Sequence, residues 1–351
     1  MRLLLAGLGG WGKAWTRMMS GVQGVELVAI ADPSAEAREW ASSELGLPPA
    51  ACHETVHSAL EHTECEAVIV ATPMWTHYEA VIASLDAGKH VLCEKPLATS
   101  LSDAVSMAGA STRADRVLMV GQSYRFRRPA RAAQRVVASG ALGELQSVRI
   151  STRRDTGKFW QPDDFRYTIP HFWLLDNGVH HFDLLRAVTG RNVRQAYCRA
   201  RHLPGSAYRH DAAGVAVMEL DGGATVVYDN EYATRSPETS WNGEWELTGE
   251  AGRLLWRGGN PDANTADLTL ELWGQRPHSV ELPEQPIDPG AAVLEAFLAA
   301  IRTGVSPETG VGDNLDTMAA VFGCIRSIES GTTTDIPDLL ANAVREAAYP
   351  A

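Results

Sequence analysis

Short, wholly apolar runs alternate with stretches of helical periodicity through the first third of the chain. Arg2 to Ala6, Val25 to Ala31, Ala67 to Ala71, His90 to Cys93 and Val117 to Val120 are too short for helices and carry no polar alternation. Runs of that kind belong to strands covered on both faces, and the intervening helical stretches (from about Ala35, about Thr76 to Ala87, and from Leu101) supply the cover. The pattern predicts an α/β fold: a doubly wound parallel sheet of the Rossmann type over residues 1–123. After Gly121 to Phe126 the pattern changes. After a helix from about Pro129 to Ser139, closed by Gly140, polar and apolar positions alternate over Leu145 to Thr152, Val193 to His202, Val215 to Leu220, Thr225 to Thr234, Trp245 to Thr248 and Leu268 to Trp273. Residues 124–351 are therefore expected to form an α+β domain around a large, mainly antiparallel sheet with one open face. Two late helices, about Ala291 to Thr303 and Gly312 to Ser330, end at Gly304 and Gly331, where a left-handed cap is expected.

Bulk properties narrow the field. A chain of 351 residues, 45% hydrophobic and 21% charged, can build two proper cores. A formal net charge of −12 leaves no basic stripe for a phosphate backbone or anionic lipid, which argues against nucleic-acid and membrane partners. No apolar run approaches the ~20 residues of a membrane span. The first residues enter a strand without a signal-peptide pattern, and five scattered cysteines (Cys52, Cys65, Cys93, Cys198, Cys324) show no CxxC spacing. Reduced thiols in a cytoplasmic protein are the expectation.

Candidate chemistry begins at Gly7-Leu8-Gly9-Gly10-Trp11-Gly12, a G-x-G-x-x-G stretch with a strand before it and a helix after it. Gly7 permits the tight turn, Gly9 lets backbone approach a pyrophosphate, and Gly12 lets helix and strand pack closely. The helix start offers free N–H groups to phosphates, so the stretch, Gly10 and Trp11 included, is expected to hold a dinucleotide. Asp32 follows the next strand. It is suited to the ribose hydroxyls of NAD and repels the 2′-phosphate of NADP, although it stands equally where an N-cap for the following helix would be. Arg38 nearby keeps NADP open. Thr72-Pro73 ends a strand at the level of a nicotinamide ribose, and His77 starts the next helix as either a cofactor contact or a solvated cap. Glu94-Lys95-Pro96 ends a further strand, aiming an ammonium at the crevice beyond it or forming a plain surface pair.

In the second half, a polar loop from Arg153 to Pro170 carries Phe159, Trp160, Phe165, Arg166 and Tyr167. Then comes Leu174-Leu175-Asp176-Asn177-Gly178-Val179-His180-His181-Phe182-Asp183. On an α-helix Asp176, His180 and Asp183 fall on one stripe, and Val179, Phe182 and Leu185 on the buried side. A carboxylate one turn from an imidazole suits general acid-base work; a capping Asp176 with a satisfied core histidine is the competing reading. His181 points away and is the lesser candidate. No further ligands cluster with it, so no metal is expected.

Taken together, Gly7-x-Gly9-x-x-Gly12, Asp32, Ala71-Thr72-Pro73 with His77, Ala87 to Pro96, Arg125-Phe126 and Asp176-x-x-x-His180-x-x-Asp183 resemble the Gfo/Idh/MocA family of glucose–fructose oxidoreductase, inositol dehydrogenase and their relatives. The resemblance implies an NAD(P)-dependent oxidoreductase moving a hydride between a secondary alcohol of a sugar, cyclitol or related polyol and the nicotinamide. It implies that Lys95 polarises the hydroxyl, His180 removes its proton and Asp176 supports both, with Glu94 beside the cofactor and Arg125, Arg166 and Asn177 toward substrate. A cis Lys95–Pro96 bond and a homodimer or homotetramer built on the open sheet are also implied. One departure stands out: His171-Phe172-Trp173-Leu174-Leu175 replaces the glycines common before the helix Asp. Two alternatives remain open: an enzyme that retains NAD and uses transient oxidation for elimination or glycoside cleavage, and a non-catalytic NAD-dependent sensor.

Overall fold

A computed structural model of the chain describes residues 1–259, 264–285 and 287–348. They form two units: Met1–Ser123 with the described residues of Pro286–Leu315 and Ala343–Ala351, and Tyr124–Gln285 with Asp316–Asn342. Patterning places a boundary near residue 123 and leaves everything after it in one domain; the described chain gives two later segments back to the first unit.

In the first unit β1 (Arg2–Ala6) leads into α1 (Gly10–Ser20), then β2 (Glu26–Ala31), α2 (Ala35–Glu44), β3 (Cys52–His53), α3 (Val56–His62), β4 (Ala67–Val70), α4 (His77–Asp86), β5 (His90–Cys93), α5 (Leu101–Ala114) and β6 (Leu118–Val120). The strands pair in parallel in the order β3-β2-β1-β4-β5-β6. Leu3 to Leu5, Val68 to Val70, Val91 and Leu92 are all fully buried, which is why their sequences are unbroken apolar runs. Each such side chain stabilises the fold by about 1.5–3 kcal/mol. Because strand order reverses at β1 and β4, a crevice opens beyond their carboxyl ends.

The second unit holds α6 (Arg128–Ala138), β7 (Leu145–Arg153), α7 (Val179–Thr189), β8 (Val193–Arg201), β9 (Ala213–Leu220), β10 (Thr225–Glu231), β11 (Glu244–Gly249), β12 (Gly252–Arg257), β13 (Asp267–Leu272) and β14 (His278–Ser279). Next come α8 (Pro289–Thr303), which lies in the first unit, α9 (Val311–Ser330), β15 (Thr334–Asp335) and α10 (Ile336–Ala348). The strands form a sheet in the order β14-β13-β12-β11-β7-β10-β9-β8-β15, antiparallel except for β7 with β10. Burial alternates along β7, β9 and β10, so one face packs on helices; Phe182 of α7 meets Tyr228 of β10 edge-on at 5.1 Å. The other face leaves Tyr197 and Val217 exposed. The expected glycine stops are present: Gly304 has φ +69° and Gly331 φ +71°.

One expectation is corrected here. Residues 174–185 do not form a single α-helix. Leu174–Gly178 is a π-helical turn that continues into α7, so Asp176 sits on a wider turn than the α-helical stripe assumes. The one-residue excess of such a turn is a feature often found at functional sites.

Candidate active site

The glycine turn behaves as its spacing demands. Gly7 has φ +88°, and a Cβ there would lie 2.6 Å from the Ala71 carbonyl oxygen. A Cβ on Gly12 would lie 2.1 Å from the Gly7 carbonyl oxygen, so α1 can approach β1 only with hydrogen at this position. At Gly9 and Gly10 a Cβ would meet nothing within 4 Å; that surface is open, and Trp11 beside it is exposed. The Asp32 carboxylate accepts the Leu8 N–H at 2.7 Å and the Ser34 N–H at 2.9 Å, tying the end of β2 to the turn. It is not the helix cap, because Ser34 caps α2 through the Ala37 N–H. Each carboxylate oxygen keeps a second lone pair, the acceptor set two ribose hydroxyls require. Arg38 donates to the Asp32 and Pro33 carbonyl oxygens at 2.7 and 2.9 Å, which turns it toward the backbone. These residues fit a dinucleotide.

At the ends of β4 and β5, backbone and side chains lock together. The buried Glu94 accepts the Trp15 indole N–H at 2.8 Å and the Lys95 N–H at 3.1 Å. The Lys95–Pro96 bond is cis. His77 is corrected from the solvated-cap reading of it. It is buried, with Nδ1 at 2.9 Å from the Pro96 carbonyl oxygen and Nε2 at 2.9 Å from the Thr72 carbonyl oxygen, so its ring clamps two strand ends. Burial pushes its pKa down against the pull of those carbonyls. Thr72 Oγ1 is buried without a hydrogen-bond partner among the described residues, next to Pro73 at the mouth of the crevice.

In the second unit the segment around the π-turn is almost wholly buried, and partners from distant strands fix its polar groups. Tyr232 at the end of β10 donates its hydroxyl proton to Asp176 Oδ2. Burial, then the Asp176 charge, raise the Tyr232 pKa well above its ordinary value, so the phenol stays a donor. His180 stacks face to face on Tyr124, centroids 4.0 Å apart and planes 2° from parallel. Asn177 is buried; its amide donates to the Tyr124 hydroxyl at 3.4 Å and its Oδ1 has no partner among the described residues. His181 is the satisfied core histidine, with Nε2 at 2.9 Å from the Trp241 carbonyl oxygen and Nδ1 at 3.0 Å from the Tyr228 hydroxyl.

Two arginines expected near substrate have other engagements. Arg125 is buried against Asp183, Nε and Nη2 donating to its two oxygens at 2.6 and 2.7 Å. The guanidinium therefore closes a charge in the core. Arg166 forks onto Asp164 at 2.9 and 3.0 Å and lies over the Phe165 ring at 4.5 Å. In all, the first unit gathers Gly7 to Gly12, Asp32, Thr72, Pro73, Glu94 and Lys95 at the carboxyl ends of its strands. The second gathers Asp176, Asn177 and His180.

Residues 1–122 match the oxidoreductase family with an NAD-binding Rossmann fold, and residues 130–255 match the GFO/IDH/MocA C-terminal domain. The chain belongs to the Gfo/Idh/MocA family. It is 26% identical to myo-inositol 2-dehydrogenase of Thermotoga maritima, over 97% of this chain and 100% of that protein. D-apiose dehydrogenase of Paraburkholderia graminis is 27% identical over 92% of this chain and 86% of its own length. Among solved structures, an oxidoreductase from Agrobacterium radiobacter in complex with NAD+, L-tartaric acid and magnesium superposes with a TM-score of 0.87 at 23% identity, covering 97% of this chain and 99% of that one. The protein is thus an NAD-binding oxidoreductase, and its fold is the one its family shares.

Within this Gfo/Idh/MocA protein, sequence reasoning missed Tyr124, Arg127 and Tyr232. Tyr124 immediately precedes the family's Arg-Phe pair, which was the available signal. Nothing in the sequence marks Tyr232, because it meets Asp176 across 56 positions.

Proposed function

We propose that the protein oxidises a secondary alcohol of a sugar, cyclitol or related polyol, with Lys95, His180 and Asp176 as its catalytic residues. The observation that carries the reading is the paired support of the π-turn segment: Asp176 held by Tyr232, and His180 held by Tyr124, in a family of oxidoreductases. When bound, NAD supplies the acceptor for the hydride that leaves the alcohol carbon. The Lys95 ammonium donates to the alcohol oxygen and stabilises its developing negative charge. His180, as the neutral imidazole, takes the hydroxyl proton. Asp176 favours the imidazolium that results and, anchored by Tyr232, keeps its place as that charge forms. Asp32, with Arg38 turned to the backbone, supports NAD in preference to NADP. The two dehydrogenases named above support the polyol class, and the exposed Tyr197 and Val217 support a homo-oligomer through the open sheet face.

The test is Lys95→Ala assayed by NADH absorbance on myo-inositol, D-apiose and D-glucose, alongside NAD binding by calorimetry. Removing a preorganised donor of this kind costs about 10²–10³ in rate. NAD affinity should be retained while turnover falls by that factor. Normal turnover in the variant refutes the assignment, and conversion without net NADH points to a retained cofactor.

A further inference from the structure

The Tyr124 ring has a group on each face. On one lies the His180 imidazole, parallel at 4.0 Å; the Arg127 guanidinium carbon stands 3.3 Å from the same centroid. Two groups at those distances collide if they share a face, so the phenol ring is sandwiched between them. Arg127 is itself anchored, its Nη1 donating to Asn242 Oδ1 at 2.5 Å, and the Tyr124 hydroxyl takes the Asn177 amide at 3.4 Å. The Arg127 edge of the stack and the Tyr124 ring at its centre are therefore both tied to the protein.

We propose that Tyr124, backed by Arg127, is a positioning residue that sets the plane of the His180 imidazole. The inference rests on the reading of His180 as the proton acceptor. A histidine χ2 torsion is broad and roughly two-fold, so the side chain does not fix its own ring plane; packing does. The accepting lone pair lies in that plane, and a parallel neighbour at 4.0 Å removes the rotation that would swing it away from a bound alcohol. A base must stand within hydrogen-bond reach and alignment of the proton it takes, so the stack acts on the chemical step and leaves NAD binding to the first unit.

The experiment combines a spectrum with kinetics on the NAD-bound protein. In histidine-labelled protein the His180 ring protons, identified by their loss in His180→Ala, should resonate upfield because they lie over the Tyr124 face. They should move downfield in Tyr124→Leu and return in Tyr124→Phe. On the fastest polyol of the myo-inositol, D-apiose and D-glucose panel, Tyr124→Leu should lose about 10²-fold in kcat, the scale of a small misplacement, with KM and NAD affinity nearly unchanged. Tyr124→Phe should recover most of the loss. Unshielded His180 protons in the wild type overturn the proposal even if Tyr124→Leu fails to fold. So does a Phe variant as slow as the Leu variant, which would assign the effect to the hydroxyl. Unimpaired His180→Ala overturns the base assignment itself, whereas impaired His180→Ala beside unimpaired Tyr124→Leu overturns only the stacking role.

Discussion

His181 makes the fold sensitive to acid in a calculable way. Burial is the main cause, and it brings the folded-state pKa from 6.5 to about 4; the Trp241 carbonyl pulls upward and the Arg127 charge pushes further down. A base with a lowered folded pKa contributes fully above the unfolded value and loses that contribution as pH falls. Below 6.5 the unfolded chain takes up a proton at this residue, and the folded chain does not until about pH 4. Between about pH 7 and about pH 5 the loss is about 2 kcal/mol, and at about 1.4 kcal/mol per pH unit it is capped near 3 kcal/mol below pH 4. That is a large share of the ~5–15 kcal/mol typical of a domain. Urea unfolding of the wild type and of His181→Gln, measured across this range, gives the term as a difference. Other histidines with lowered pKa, His53, His77 and His90, contribute equally to both proteins and cancel. The wild type should lose about 2 kcal/mol more than the variant on going from pH 7 to pH 5. Parallel curves would mean that His181 either is not buried neutral or is equally perturbed in the unfolded chain.

Asp183→Asn should cost about 3–5 kcal/mol in denaturant unfolding, because it strands the buried Arg125 charge, whereas Arg125→Met with Asp183→Leu should recover most of that; a single-variant cost under about 1 kcal/mol contradicts the buried pair. Gly12→Ala forces its Cβ against the Gly7 carbonyl oxygen, so we expect a stability loss of about 1–3 kcal/mol together with weakened NAD binding by calorimetry. Wild-type melting and affinity in that variant would show that the turn can relax.

What the sequence discloses here depends on whether the relevant partner is near in the chain. The five longer parallel strands were legible because burial on both faces writes itself into consecutive residues, as in Ala67–Val70. β12 was not, although it is central to its half of the sheet. Its Leu254-Leu255-Trp256 core is neither alternating nor long, and only pairing with β11 and β13 makes it a strand. β3, β14 and β15 are two residues each and exist through their neighbours. The same rule governs the site. Gly7, Gly12 and Asp32 could be read because a turn and the next strand end bring them together. The destinations of Arg125 and Asp176 could not, since Asp183 lies 58 positions from the first and Tyr232 lies 56 from the second.

Helical periodicity fails at α7 for a related reason: of Val179–Thr189, all but Ala187 are buried, so no polar face exists to set the phase. A helix buried nearly all round and carrying two histidines and an aspartate must satisfy each polar group individually, since an unpaired buried donor or acceptor costs about 1–3 kcal/mol. Asp183 is met by Arg125 and His181 by Tyr228 and Trp241, and the His180 ring is stacked on Tyr124. A ring face fixes an imidazole without competing for the in-plane lone pair that proton transfer uses. Of the two adjacent histidines, His180 is the one proposed as the base. His181 has a phenol and a carbonyl on its two nitrogens, a pairing made by distant residues that spacing alone does not show.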